Sequence, residues 1–269
     1  MRGRVLIIAG SDSGGGAGIQ ADIKTVTMLG AFATTAITAL TAQNTLGVFG
    51  VLPIAPEFIR QQIEVVLDDI GADAIKTGML HDAAVIDTVA RTLAERAADV
   101  PLVVDPVMAA KGGAPLIEPG AIDALKELLL PRAAVLTPNL PEAEILVGHA
   151  IPNVAAMRRT AAELLAFGCR AVLLKGGHLA GDVLHDVLAT AAGQRVWDSQ
   201  RIATAHTHGT GCTLASAIAA GLAQGMPVEA AVERAREYVR RAILSAPGLG
   251  HGHGPLDHAH PLHEGRDAP

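Results

Sequence analysis

HTHGTGCTLASAIA, His206 to Ala219, decides how the remainder of the chain is read. Gly209, Thr210 and Gly211 make a turn of small residues. After Cys212 the apolar residues Leu214, Ile218 and Leu222 recur at helical spacing, so a helix starts where the turn ends. The first backbone N–H groups of a helix lack intrahelical partners and lie at the positive end of its dipole, which together receive an anion such as a phosphoryl group. Cys212 stands at the mouth of that site, where positive potential is expected to lower a thiol from its ordinary pKa of about 8.5 and leave it able to accept a proton or attack. A second reading is equally open at this point: a helix start that carries a small, half-buried cysteine.

Working outward, the chain has 269 residues, half of them hydrophobic, which is enough to bury a full core in one α/β domain of the larger kind. A net charge of −6 and an aromatic content of 2% supply neither a basic stripe nor stacking platforms, which argues against a nucleic-acid surface and favours a small polar ligand. The two cysteines, Cys169 and Cys212, make no disulfide framework, and a reducing cytoplasm is the expected compartment. The apolar run VLIIA is too short for a secretory leader, and no stretch is long enough to span a bilayer.

Short apolar runs alternate with helical patterns along the whole chain. Val5–Ala9 reads as a buried parallel strand, followed by the loop GSDSGGGAG and a helix from near Ala17 with Ile19, Ile23, Val26 and Leu29 inward. The glycine loop suits a phosphate, but it lacks the ending of a P-loop and the dinucleotide fingerprint; a tight strand-to-helix connection explains it equally well. Phe32 to Gln43 reads as one second strand, and a short strand lies around Val48 to Leu52. Further strands are expected at Ala74–Ile75, Leu102–Val107, Ala134–Thr137 and Ala171–Leu174. Helices are expected over Pro56–Ile70, Asp82–Arg96, Ala121–Leu130, Asn153–Phe167 and Pro227–Ser245. Two short strands near Val183–Leu188 and Arg195–Ile202 are expected to be antiparallel edges. The Gly- and Pro-rich segment Met108 to Gly120, with Lys111-Gly112-Gly113, reads as a loop able to close over a site. No linker, second core composition or internal repeat divides the chain.

Polar residues follow the buried strands again and again. Asp22 lies on the first helix near the carboxyl end of the first strand. Gln43 ends the second, its amide offering a donor and an acceptor to a heterocycle. Asp105 ends an apolar strand and is held by Pro106, and Lys175 suits a point charge for phosphate where another apolar run stops. Asn139 and Glu142 stand three apart at a helix start, where a glutamate also simply complements the dipole. Recurrence of Asp22, Gln43, Asp105, Asn139, Glu142 and Lys175 at one sheet edge, in register with the Cys212 turn, indicates a single active site.

The ordered segments IAGSDSGGGAGIQADIKT, TALTAQNT, IKTGML, DPVMAAK, LTPNLPEAE, LLKGGH and HGTGCTLASAIAA resemble the hydroxymethylpyrimidine/phosphomethylpyrimidine kinases of thiamin biosynthesis. The resemblance runs from Ile8 to about His253. It implies an α/β, ribokinase-like fold, with a central, mainly parallel sheet flanked by helices on both faces, spanning residues 1–262 as one domain before a flexible tail over 263–269. It also implies ATP and Mg²⁺ as cofactors and a homodimer. The implied reactions phosphorylate the hydroxymethyl group of the pyrimidine and then the resulting monophosphate. Residue by residue, it implies Gln43 on the pyrimidine with Asp22, Met79 and Val107 around it, and an anion hole of Gly209, Gly211 and Cys212. Cys212 stands where many wider relatives have an aspartate base. The resemblance further implies Lys175 at the phosphate, Asn139 and Glu142 as the magnesium and phosphate motif, and Asp105 beside Glu142 for the metal.

Two other functions compete. A pyridoxal kinase of the same fold acts on a similar hydroxymethyl heterocycle, although Gln43 in TAQNT favours the pyrimidine; a protein active on both is also consistent. A non-catalytic pyrimidine sensor is expected to lack Cys212 or the Asn139/Glu142 pair, and both are present. The histidines His251, His253, His258, His260 and His263 read mostly as a solvated tail, because the surrounding Gly and Pro residues give no fixed metal geometry, with His251 and His253 as exceptions where GHGHGP borders the region of resemblance.

Overall fold

The computed structural model describes residues 1–109 and 116–263. Six strands, β1 (Arg4–Ala9), β2 (Phe32–Ile37), β5 (Ala74–Thr77), β6 (Leu102–Val104), β7 (Ala133–Leu136) and β8 (Ala171–Leu174), run parallel. β9 (Val183–Thr190) and β10 (Gly193–Gln200) are antiparallel, and the eight lie in the order β10-β9-β8-β7-β6-β5-β1-β2. A separate antiparallel hairpin is formed by β3 (Ala39–Asn44) and β4 (Gly47–Pro53).

The parallel strands are apolar at nearly every position because both faces are covered. Leu6, Ile8, Ile75, Leu102, Val104, Leu136 and Val172 pack under α2 (Pro56–Asp69), α3 (Ala83–Arg96), α4 (Pro119–Ala124), α5 (Leu140–Val147) and α6 (Val154–Leu165). The alternate residues Val5, Ile7, Ala9, Val103, Val135 and Leu173 pack under α1 (Gly18–Met28), α7 (Thr210–Ala223) and α8 (Val228–Leu244). The expected sheet with helices on both faces, including the antiparallel edge, is therefore the architecture found. α7 lies deepest, with Leu214 to Gly221 all buried. Its small residues permit close approach: a Cβ on Gly221 would come within 2.7 Å of the Ala231 Cβ on α8.

Several elements differ from the sequence reading. Phe32 to Gln43 is two strands, not one. Thr38 is the last residue held to β1, through its N–H to the Ala9 carbonyl at 3.1 Å, and its hydroxyl donates to the Met79 carbonyl at 2.6 Å. Beyond it β1 has ended, and the chain leaves the main sheet to pair with β4 instead. The helix expected over Ala121–Leu130 is α4, one π-turn at Leu125–Leu129 and a 3₁₀ turn at Leu130–Arg132, where Pro131 removes a backbone donor. On α1, Ile23 is exposed, and the buried face instead includes Asp22 and Thr25.

The reading of a solvated tail fails at His258 and His260, whereas His251, His253 and His263 are exposed. The backbone of this segment bridges elements far apart in sequence: His253 N–H donates to the Thr45 carbonyl, Asp257 N–H to the Ala242 carbonyl, and Pro255 pairs with His208. His258 and His260 are buried. Tyr238 OH donates to the His258 carbonyl at 2.6 Å, and the His258 Nε2 is hydrogen-bonded to the Thr213 hydroxyl at 2.9 Å. His263 is exposed, and the rest of the expected 263–269 tail lies outside the described residues.

Burial, then the nearby Lys24 charge, pushes the His258 imidazole down from 6.5 to about 4. The native state thus binds fewer protons than the unfolded chain between these values, so stability is fully present above pH 6.5 and declines as pH falls toward 4. A depression of this size corresponds to about 3 kcal/mol. Urea midpoints measured across this window should fall more steeply for the native sequence than for His258→Gln; parallel curves would refute the assignment.

Candidate active site

The carboxyl ends of β1, β5, β6, β7 and β8 open into one cleft of about 1120 Å³, closed on its far wall by the N-terminus of α7. Ligands of open α/β sheets bind at this edge, because loops that diverge from parallel strands leave a crevice there. Gln43, Met79, Asp105, Val107, Asn139, Glu142, Lys175, Gly209, Gly211 and Cys212 all line it. Asp22 does not.

The turn before α7 is shaped by contact, not by sequence-local preference alone. Gly209 has φ +82°, and any Cβ on it would overlap the Gly16 carbonyl, so the last loop rests backbone to backbone on the first. A Cβ on Gly211 would lie 3.4 Å from Lys175 Nζ and 3.6 Å from Asp105 Oδ2. The N–H groups at the start of α7 are thereby held open beside a lysine–aspartate pair, an arrangement suited to a phosphoryl group.

Cys212 is half-buried at this opening, but its thiol departs from the expected direction. Desolvation pushes it up to about 12; Lys76 favours the thiolate, while Asp22 and Asp105 disfavour it. A helix dipole acts on every residue at that position, whereas the desolvation comes from tertiary packing, and here packing wins.

The glycine loop is organised by Asp12, which the sequence reading missed. Its carboxylate accepts from the N–H groups of Gly14 at 2.7 Å, Gly16 at 3.0 Å and Ala17 at 2.7 Å, and is bonded to His208 Nε2 at 2.9 Å. Burial would raise this carboxyl, but the bonds to His208, Gln43 and Ala17 hold it well below the usual range. An aspartate two residues before a glycine run is a recognisable turn-former, so a local signal existed; its histidine partner, 196 residues away, left none. Ser13 locks the next layer, because its hydroxyl donates to the Gln43 carbonyl and accepts from the Gln43 N–H, each at 2.8 Å. Gln43 sits just past a bulge in β3, and Met79 and Val107 form apolar walls of the same cleft.

Where β6, β7 and β8 end, Lys175 Nζ and the Thr137 hydroxyl each lie 3.4 Å from Asp105 Oδ1. Asn139 and Glu142 form a reciprocal capping box at the start of α5, at 2.8 and 2.9 Å. The dipole-complementing role of Glu142 and its place in the cleft are therefore both present. Burial pushes the Glu142 carboxyl up to about 7, Lys175 opposing and Asp105 adding to the rise.

Asp22 corrects the expectation of a substrate contact. It was read at the right sheet edge, but the phase of α1 turns it inward, where it is fully buried against Lys76 Nζ at 2.8 Å and Ser216 Oγ at 2.7 Å. Lys76 lies beneath the cleft wall instead, fully buried, and a charged residue inside the four-residue buried strand AIKT is the signal that pointed to it. The flanks of the expected closing loop are anchored by Leu116 N–H to the Met108 carbonyl and Glu118 N–H to the His81 carbonyl. Lys111-Gly112-Gly113 lies outside the described residues. The outer mouth is formed by Arg236, Arg240 and Ile243 of α8, for which the sequence reading had no assignment.

A family model described as phosphomethylpyrimidine kinase matches residues 12–257. The hydroxymethylpyrimidine/phosphomethylpyrimidine kinase of Streptomyces coelicolor is 49% identical over 260 residues, covering 97% of this chain and 96% of that protein. The thiamine biosynthesis bifunctional protein ThiED of Geobacter sulfurreducens is 52% identical over 267 residues, covering 99% of this chain and 54% of the relative, so the chain spans about half of that longer protein. Among solved structures, an ADP complex of Bacillus subtilis pyridoxal kinase superposes with a TM-score of 0.89 at 38% identity, covering 96% of this chain and 98% of that one. With a match that begins at the aspartate of the glycine loop and ends beside the buried histidines, the chain belongs to the phosphomethylpyrimidine kinase family.

Proposed function

We propose that the chain transfers the γ-phosphoryl group of ATP to the hydroxymethyl group of 4-amino-5-hydroxymethyl-2-methylpyrimidine and then a second one to the monophosphate, a sequence belonging to thiamin biosynthesis. The observation that carries this reading is the joining of Gln43, through Ser13, to the glycine loop on which the α7 turn rests. A heterocycle read by the Gln43 amide then lies in the same cleft as the donors that receive the phosphoryl group.

Phosphoryl transfer runs through a loose transition state with its charge on equatorial oxygens, so positioning and fixed donors contribute most. Here the N–H groups before Cys212 and the Lys175 ammonium meet those oxygens. Asp105 and Glu142 are the carboxylates suited to Mg²⁺. No group of three or more His, Cys, Asp or Glu among the described residues would hold an ion alone, and Mg²⁺ is commonly held by one or two carboxylates together with substrate phosphates. The donor set fits the ion, which when bound neutralises charge on the phosphate oxygens. Cys212 accepts the substrate proton in its thiolate form.

The pyridoxal alternative is favoured by the likeness to a pyridoxal kinase at 38% identity, and one coupled ATP assay on both alcohols separates the two. A homodimer is supported by the β3–β4 hairpin and its neighbour α2, which expose Leu46 (65%), Phe49 (70%), Leu52 (62%) and Phe58 (55%) on one region of the chain.

Four outcomes are expected. Gln43→Leu strands polar atoms of the ring in the cleft at a cost of about 1–3 kcal/mol, raising KM for the pyrimidine while leaving that for ATP unchanged; an unaltered pyrimidine KM removes Gln43 from the site. Cys212→Ala keeps the backbone donors but loses the proton acceptor, so the first step should fall by roughly 10²–10⁴-fold and the second, whose acceptor is already a phosphate oxygen, by less. Because burial pushes the thiol up to about 12 while it acts deprotonated, first-step turnover of the native sequence should climb with pH through the alkaline range, a climb absent in the variant. Equal losses in both steps would assign Cys212 to packing. Finally, Phe49→Asp with Leu52→Asp should elute as a monomer in light-scattering chromatography, and a native protein already monomeric there would end the dimer reading.

A further inference from the structure

Behind the Cys212 thiol lies an ion pair without access to solvent. Lys76 on β5 and Asp22 on α1 are both 0% exposed, with Nζ 2.8 Å from Oδ2. The other oxygen, Oδ1, accepts from Ser216 Oγ on α7 at 2.7 Å. Desolvating two charges ordinarily offsets their attraction, so such a pair is a poor device for stabilising a core, and well-packed apolar residues often do as well or better. Its presence calls for another explanation.

Helix register supplies one. Gly18 and Asp22 are one turn apart on α1, and Cys212 and Ser216 are one turn apart on α7. The Gly18 backbone at the start of α1 acts electrostatically on the Cys212 sulfur, and one turn further along Asp22 takes the Ser216 hydroxyl. The two helices are thus joined at Asp22–Ser216, one turn beyond Gly18 and Cys212, and Lys76 reaches that bond from the sheet, beneath the wall of the cleft that Cys212 lines. An ammonium carries three donors. Asp22 is the hydrogen-bond partner of Lys76 among the described residues, so further donors of the ammonium remain.

We infer that Lys76, held in place by Asp22 and Ser216, is a positioning residue whose ammonium stabilises the thiolate of Cys212 for proton acceptance. The inference rests on the reading of Cys212 as proton acceptor. Cys212 first releases its proton to solvent. The substrate O–H proton then passes to sulfur as the oxygen bonds to the γ-phosphorus, while the bond from that phosphorus to the β-phosphate oxygen breaks and ADP departs.

Four charged groups act on the sulfur from the surrounding elements. Lys76 on β5 and Lys175 after β8 favour the thiolate, and Asp22 on α1 and Asp105 after β6 oppose it. Of the two lysines, Lys76 is the one whose charge acts most on the sulfur, Lys175 lying with Asp105 and Glu142. Burial works against the Lys76 charge, but Asp22 and the other acidic neighbours outweigh it and keep the ammonium protonated.

The test is peptide-resolved alkylation of the folded, full-length protein by iodoacetamide in mildly alkaline buffer. Cys169, buried in the core and absent from the cleft lining, serves as the internal control of low access, whereas Cys212 is half-buried at the cleft. Lys76→Met keeps the length of the side chain and removes its charge. It should slow alkylation of Cys212 by about tenfold or more, lower first-step turnover in parallel, affect the second step less and leave KM for ATP unchanged. The double variant Lys76→Met with Asp22→Asn removes both charges and relieves the unpaired carboxylate, and its fold is checked by circular dichroism. It should remain slow in alkylation and in the first step. Unchanged alkylation in Lys76→Met, or recovery of native alkylation and turnover in the double variant, would overturn the inference and leave the pair a packing device. If the native protein fails to phosphorylate the pyrimidine, the functional reading falls, while the alkylation result still decides whether Lys76 governs the thiol.

Discussion

The site depends on one carboxylate. Asp12 gathers three backbone N–H groups of the glycine loop and the His208 ring around itself, and so turns a flexible run of glycines into a fixed surface. Gly209 can rest on Gly16 only because that surface is fixed, and the opening of α7 is aimed by the contact. Glycines confer close approach but no rigidity of their own; the rigidity is supplied by an ionised group with all of its bonds made. Ser13 extends the same order to the hairpin that carries Gln43.

A second constraint is the smallness of α7. Its alanines and Gly221 let it sit against both the sheet and α8, which places the start of the helix over the ends of the strands. The same depth desolvates Cys212 and encloses Lys76 with Asp22. One packing decision thus shapes the turn before α7, raises the thiol, and creates the buried cation beside it.

Much of this was readable from residue order. Parallel strands covered on both faces must be apolar throughout, so VLIIA, LVV, AAVL and AVLL announce themselves, and Asp105, Asn139, Glu142 and Lys175 stand out as the polar residues that end or follow such runs. What was not readable depends on neighbours remote in sequence. The split at Thr38 arises because β1 ends, not from anything in FATTAITALTAQ. Asp22 was placed at the correct edge but not given the correct direction, since the phase of α1 is set by its contact with α7. The elevation of Cys212 reflects burial that a local dipole argument omits. His258 and His260 sit in a segment with no periodicity, yet Tyr238 and Thr213 pin it.

The bond between Asp12 and His208 joins residues separated by 196 positions, and this sets an order of events during synthesis. At typical ribosomal rates of 5–20 residues per second, about 10–40 s pass between emergence of the glycine loop and arrival of its partner. Through that interval β1, β2 and β5 can pair, but the loop has no imidazole against its carboxylate and no backbone on which to rest. Catalytic competence is therefore acquired in a single late event, when the last loop docks on the first, and a nascent chain that already possesses most of its sheet still has no kinase.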